Sequence, residues 1–271
     1  MIEKERGHSI GFTMLEVVIV IAVIAILAGL IAPLAVNTIK QSRLNACWEE
    51  IQIIKKAIVG DPSLVQSGSR SHFGFVGDLG DLPADGNLGE LITKAATRPV
   101  YQQDATSGIY YGWRGPYSSE ILDPWRHTYY YKRVIVTAAS TDKTIAYIWS
   151  SGPDGQTNAD PLNTAAINND NIRISIMQDE AYSMIAGNTL DECGSGINCT
   201  ITIYSPNGLT VPVPTAYTST PIYNTGNTNL YPIGVRQIRI NDGINPSFNF
   251  IITINNGPIT IFNFRRSGTC L

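Results

Sequence analysis

Charge is scarce in this sequence. Charged side chains make up 15% of the 271 residues and sum to −3. No basic face is clustered densely enough to follow a phosphate backbone, so nucleic acid is not an expected partner. Histidine is scarcer still: the three are His8, His72 and His127, far apart in the chain. There is no C-x-x-C spacing, and no metal or catalytic cluster emerges. No Ser/His/Asp set or carboxylate pair stands at a catalytic motif spacing, so the chain is expected not to be an enzyme. Four cysteines are compatible with an oxidising compartment without requiring one. The polar half of the composition is instead Asn, Thr, Ser and Gly, which suits an exported, loop-rich β protein better than a cytosolic helical enzyme. The length leaves room for one large domain or two modest ones beside an anchor.

What the chain does have is a long apolar run. Val17 to Val36 reads VVIVIAVIAILAGLIAPLAV, and about 20 such residues span a bilayer as a helix. A plain signal anchor and a cleaved secretory signal compete for this pattern. A secretory signal has a shorter core and a small-residue cleavage site after it; here the run passes into a helical pattern without one. Lys4 and Arg6 before the run are offset by Glu3 and Glu5, and Lys40 and Arg43 follow it. Charge asymmetry therefore says little about orientation. Glu16 sits at the border of the run, where a carboxylate costs about 2–3 kcal/mol on insertion scales and normally has a partner.

Gly11-Phe12-Thr13-Met14-Leu15-Glu16 resembles the class III signal of type IV prepilins and type II secretion pseudopilins. The resemblance implies cleavage by prepilin peptidase between Gly11 and Phe12 and methylation of the new N-terminus. Glu16 then becomes the fifth residue of the mature chain. In that reading it neutralises the Phe12 ammonium of a neighbouring subunit and aligns subunits in a staggered register. Pro33 falls at mature position twenty-two, where many type IV pilins carry a helix-bending proline. It lacks an N–H and crowds the carbonyl of Gly29, so it is expected to bend or locally melt the helix. A span-end proline with no assembly role is the plainer alternative.

Beyond the span, Leu44, Cys47, Trp48, Ile51, Ile54 and Ile58 recur at three- and four-residue steps, and Gly60-Asp61-Pro62 stops the pattern. One helix is expected from about Phe12 to about Val59, with a sticky face in its second half. Asn87 to Thr97 reads as a short helix closed before Pro99. Tyr129 to Val136 and Thr144 to Trp149 read as a β-hairpin. Asp123 is read as a turn former, and Trp125 and the tyrosines as packing residues.

The order of Leu82-Pro83, the helix at Leu88 to Ala96, Gly115-Pro116-Tyr117, Asp123-Pro124-Trp125 and Ser151-Gly152-Pro153-Asp154-Gly155 is similar to the head of major pseudopilins. The likeness covers roughly residues 8 to 176. Arg126 departs from it, since the family usually has glycine there. The resemblance implies a calcium loop after Gly155, with Asp154, Asp160 and Asp170 as candidate ligands and Asn169 and Asn171 as weaker ones. The residues by themselves read as well as a polar loop with Asx-turns, without EF-hand spacing or paired aspartates.

The pseudopilin pattern ends near Ile172, and this chain continues. Five short β runs, TITIYSP, LTVPVP, GVRQIRI, FNFIITI and ITIFNFR, predict a small β-sandwich or an enlarged head sheet. Asn207-Gly208 and Asn255-Asn256-Gly257 suit hairpin turns, and Asp179 to Ala186 a short helix. Cys193 and Cys199 enclose a small loop and are expected to pair if this side is periplasmic; Cys47 and Cys270 could bond to each other. Four cysteines allow three connectivities.

The expected fold class is α+β: a pilin fold with a long N-terminal membrane-spanning helix packed on an antiparallel sheet, plus a C-terminal all-β extension. Its expected parts are a leader at 1–11, the helix at 12–59, a head at 60–176 and the extension at 177–271. The resemblance implies a structural filament subunit whose partners are itself, other pilin-like subunits, prepilin peptidase, an inner-membrane assembly platform and membrane lipid. The pseudopilin-like head points to a type II secretion pseudopilin, with a type IV pilus pilin carrying an exposed, adhesive C-terminal domain as the alternative. Its expected place is the inner membrane, single-pass with a periplasmic head, or outside the cell within a filament. A membrane-tethered carbohydrate-binding protein, with Trp113 as the exposed aromatic, is the rival from another class.

Overall fold

The computed structural model describes residues 13–137, 140–156, 172–208, 213–219, 222–226 and 229–267. Two compact units follow one another along the chain, Met1–Ala46 and Cys47–Leu271.

Helix α1 runs over Met14–Val59. Within the first unit every described side chain from Met14 to Arg43 is exposed, and Leu44 and Ala46 are half-buried. It is long and apolar enough to cross a membrane. Pro33 does not melt it, because the helix continues through that residue without a break. Only one helical hydrogen bond is lost there, while the neighbouring backbone groups have no better partner in an apolar run.

In the second unit α1 shows one packed stripe. Cys47, Ile51, Ile54 and Ile58 are buried, whereas Trp48 is 47% exposed. Trp48 lies about 100° round the helix from Cys47, so it misses the face it was expected to join. Lys55 donates to the Ser175 carbonyl at 3.0 Å and pairs with Glu180 at 2.6 Å.

After α1, a two-residue hairpin joins β1 (Val65–Gln66) to β2 (Ser69–Arg70). Helix α2 (Gly74–Leu79) follows. The helix expected over 87–97 shrinks to one 3-10 turn at Leu88–Leu91. A straight helix would hold Glu90 and Arg98 about 12 Å apart along its axis; instead the chain folds back so that their side chains meet at 2.9 Å. Strands β3 (Gln102–Gln103) and β4 (Tyr110–Tyr111) form a second small hairpin.

The expected hairpin is present: β5 (Tyr130–Arg133) pairs antiparallel with β6 (Thr144–Ser150), and β7 (Ile172–Met177) adds on the other side of β6. The turn before β5 is built on Asp123. Its Oδ1 accepts the backbone N–H groups of Trp125 at 3.0 Å and His127 at 2.8 Å, and its Oδ2 accepts the Ser150 hydroxyl at 2.6 Å. Arg126 occupies this turn at φ +71°, a left-handed conformation that favours glycine. The departure from the resembling pattern at this position therefore carries backbone strain. Tyr129 and Tyr131 are buried, as expected of packing residues, and Tyr130 stacks on Trp149 with centroids 5.4 Å apart.

The C-terminal region is a two-layer sandwich. The expected helix over 179–186 is a single turn, α3 (Gln178–Ala181), before β8 (Tyr182–Leu190). Strands β9 (Cys199–Ser205), β10 (Val213–Ser219), β13 (Gly234–Asn241) and β14 (Phe248–Ile254) form one antiparallel sheet in the order β10-β9-β13-β14. The other sheet is centred on β8, with β11 (Ile222–Asn224) and β12 (Tyr231–Pro232) antiparallel to it, and β15 (Ile259–Ile261) and β16 (Phe264–Arg265) parallel. Between the sheets, Ile185, Ile201, Ile203, Ile238, Ile240 and Ile254 are all at 0% exposure. Each such side chain contributes about 1.5–3 kcal/mol of burial free energy.

Asn207-Gly208 falls between β9 and β10, which pair as a hairpin. Asn255-Asn256-Gly257 does not make one, because β14 and β15 belong to different sheets. This connection crosses the sandwich and is held by the Gly257 N–H on the Asp179 carbonyl at 2.7 Å and by Arg70 on the Asn256 side chain at 3.2 Å.

Two buried arginines join the segment before 100 to the sandwich. Arg98 and Glu90 each have 4% side-chain exposure. Arg98 donates to Glu90, to Asp81 at 3.2 Å, to the Leu82 carbonyl at 3.0 Å and to the Gly208 carbonyl at 3.1 Å. Arg236 is 1% exposed. Its guanidinium donates to the carbonyls of Pro232, Ile233, Val235 and, from α2, Gly77. Burial draws its pKa down to about 9.

Removing Arg98 leaves Glu90 buried without its cation, so Arg98→Ala is expected to lower unfolding free energy by about 3–5 kcal/mol, read as a shift in the urea midpoint. Arg126→Gly relieves the left-handed strain and should add about 1–2 kcal/mol by the same measurement. In the β13–β14 turn, the Asn245 and Ile244 backbone N–H groups and the Arg266 guanidinium hold the Asp242 carboxyl well below its usual range. A depressed folded pKa contributes stability above the unfolded value of about 3.9 and loses it as pH falls further. Thermal melts should therefore show wild type above Asp242→Asn at neutral pH, with the gap closing below about pH 4.

Candidate processing and anchoring segment

The described helix begins where the leader motif ends. Gly11 and Phe12 lie outside the described residues, and Thr13 is the first residue seen. Thr13 and Glu16 cap the helix reciprocally. The Thr13 backbone N–H donates to Glu16 Oε2 at 2.9 Å, and the Thr13 hydroxyl donates to the same oxygen at 3.1 Å. The Glu16 N–H donates back to the Thr13 hydroxyl at 3.3 Å. This is a capping box, and it satisfies two donors of the first turn that have no intrahelical acceptor. A carboxylate in that turn also opposes the positive end of the helix dipole.

Glu16 thus has a structural task within its own chain. The signal for it was present in the spacing Thr13-x-x-Glu16, a capping-box pattern that the reading of Glu16 as an assembly residue passed over. Among the described residues, Glu16 Oε1 makes no hydrogen bond. The exposed carboxylate therefore holds the helix end through one oxygen alone. Pro33 lies in the same helix, seventeen residues further on, with its ring exposed.

The calcium candidates are not brought together by the described residues. Asp160 and Asp170, with Asn169 and Asn171, lie outside them. Asp154 accepts the Gln156 backbone N–H at 3.0 Å, an Asx-turn. Among the described residues no group of three His, Cys, Asp or Glu side chains could hold a metal ion.

The expected Cys193–Cys199 disulfide does not form. Cys199 is a buried free thiol, whereas Cys193 is disulfide-bonded. Cys199 opens β9 on the register that faces the sandwich core with Ile201 and Ile203, while Cys193 lies in an exposed turn. Their side chains point into different surroundings. Burial raises the Cys199 thiol above its ordinary pKa, which keeps it an unreactive core group. Cys47 is also a buried free thiol, so the alternative Cys47–Cys270 pairing is not formed either. Trp113 is half-buried, donates its indole N–H to the Glu90 carbonyl at 2.7 Å and packs edge-on against Tyr117.

Residues 6–32 match the family model of the prokaryotic N-terminal methylation motif. The match takes in Gly11, Phe12, Glu16 and the apolar helix up to the residue before Pro33. No curated protein and no solved structure matches the chain. The N-terminal segment carries a type IV pilin-like prepilin signal, and the exposed apolar helix behind it is long and apolar enough to anchor the protein in a membrane.

Proposed function

We propose that this chain is a structural, non-catalytic subunit of a type IV pilin-like filament, cut after Gly11 and polymerised through its N-terminal helix. The methylation motif over residues 6–32 carries the reading. Cleavage leaves an ammonium on Phe12 inside the membrane. The Glu16 carboxylate of an adjacent subunit neutralises it, which avoids two uncompensated charges at membrane depth. The apolar first part of α1, whose described side chains from Val17 to Val36 are exposed, is covered first by lipid and then by like helices.

Within this class we favour a type II secretion pseudopilin, because the hairpin at 130–150 and the Asp123 turn stand in the order of a major-pseudopilin head. A type IV pilus pilin is the second reading. The sandwich of 182–265 favours it, since a filament displayed outside the cell has use for an added surface domain.

Mass spectrometry of the mature protein tests the processing step. The expected N-terminus is N-methylated Phe12, and an intact leader in assembled material would sink the proposal. Deletion of the gene separates the two systems: loss of secreted enzymes marks the pseudopilin, and loss of surface filaments marks the pilus pilin.

A further inference from the structure

A cavity of about 380 Å³ opens beside Asp78 in the second unit, lined by the segment around residues 70–78, the β3–β4 region and β13–β14. Its volume lies at the lower end of the range for small-molecule sites, about 300–1,000 Å³, and suits a ligand of one or two rings. Its charged groups are Arg70, Asp78, Arg114 and Arg236. Arg70 and Arg236 line it, but the Arg70 guanidinium is engaged with two carbonyls and Asn256, and that of Arg236 with carbonyls.

Asp78 and Arg114 remain. The Asp78 side chain is 12% exposed, and its Oδ2 pairs with Arg114 Nε at 3.3 Å and accepts the Tyr117 hydroxyl at 3.0 Å. Its Oδ1 has no hydrogen-bond partner among the described residues. Arg114 is half-exposed and lies 5.5 Å from the Tyr101 ring centre. Tyr101 in turn stacks on Tyr110 at 5.6 Å and 19°. Arg114 and Tyr110 thus pack around the Tyr101 ring, while Tyr110 is 55% exposed at the cavity.

This set selects against charged ligands. An anion would meet the Asp78 carboxylate, and an ammonium would meet Arg114. Adjacent hydroxyls suit both groups, one donating to Asp78 Oδ1 and its neighbour accepting from the guanidinium. An apolar C–H face can then lie on the exposed Tyr110 ring. We propose that this cavity binds a neutral saccharide unit through Asp78, Arg114 and the Tyr101–Tyr110 stack.

The test uses the full chain in an amine-oxide detergent, which carries no sugar. Saturation-transfer NMR is run with a panel of neutral mono- and disaccharides and with acetate, inorganic phosphate and butylamine as charged probes. The variants are Tyr110→Ala and Arg114→Gln, both at exposed side chains, with melting temperature confirming the fold. At least one neutral sugar should bind, with apparent affinity falling roughly 2–10-fold in each variant. The proposal is overturned if no neutral sugar binds, if only charged probes bind, or if binding survives both substitutions unchanged. Binding is read on the unassembled subunit, so a negative result leaves the filament reading standing.

Discussion

A guanidinium that has left water needs every one of its donors met, and at Arg98 this demand dictates which segments touch. Its acceptors come from Asp81, Leu82, Glu90 and Gly208. Three belong to the loop before residue 100, and the fourth lies in the turn that leaves β9. Glu90 is as deeply buried as its partner, so neither charge is tolerable until the chain closes around both. Arg236 repeats the device in the other direction, sent from β13 to the Gly77 carbonyl of α2. The residues after 177 are therefore part of the same compact unit as those after 47. The Asp78 cavity is a consequence of that union, since it is walled by both regions.

The helix at the N-terminus obeys a different constraint. From Val17 to Val36 it is apolar on all sides and its described side chains are exposed, so the stability of this stretch in water would rest on backbone bonds alone. Lipid, or other helices of the same kind, would supply the missing surroundings. Thr13 and Glu16 matter at its open end, where the first N–H groups have no partner in an apolar solvent. One Glu16 oxygen serves this local need. The other, which the proposed assembly role would use, makes no hydrogen bond among the described residues.

Much of the secondary structure was legible because periodicity is a local property. The apolar run, the buried stripe at Cys47, Ile51, Ile54 and Ile58, the 130–150 hairpin and strands β9, β13 and β14 all follow from spacing. By contrast, the described β10 starts at Val213, near the end of the run at 209–214, and the run at 259–265 divides into β15 and β16. Trp48 was misplaced because a three-or-four-residue rule cannot tell which neighbour of a stripe lies on its edge. The helix over 87–97 was overextended because its pattern ignored the pull of Arg98 towards Glu90. Asn255-Asn256-Gly257 has hairpin chemistry, but its flanking strands found partners in separate sheets.

By itself, the sequence determined the processed anchor: Gly11-Phe12, Glu16 and the apolar run form a contiguous signal that needs no distant residue to be read. Tertiary structure decided that Cys199 is buried as a free thiol, where Arg98 and Arg236 send their donors, and that Tyr101, Tyr110, Asp78 and Arg114 share one cavity. The reason is range. A leader and a helix are specified by neighbours along the chain, whereas a buried charge or a pocket is specified by segments more than a hundred residues apart, such as Arg98 and Gly208, and only the closed fold brings them together.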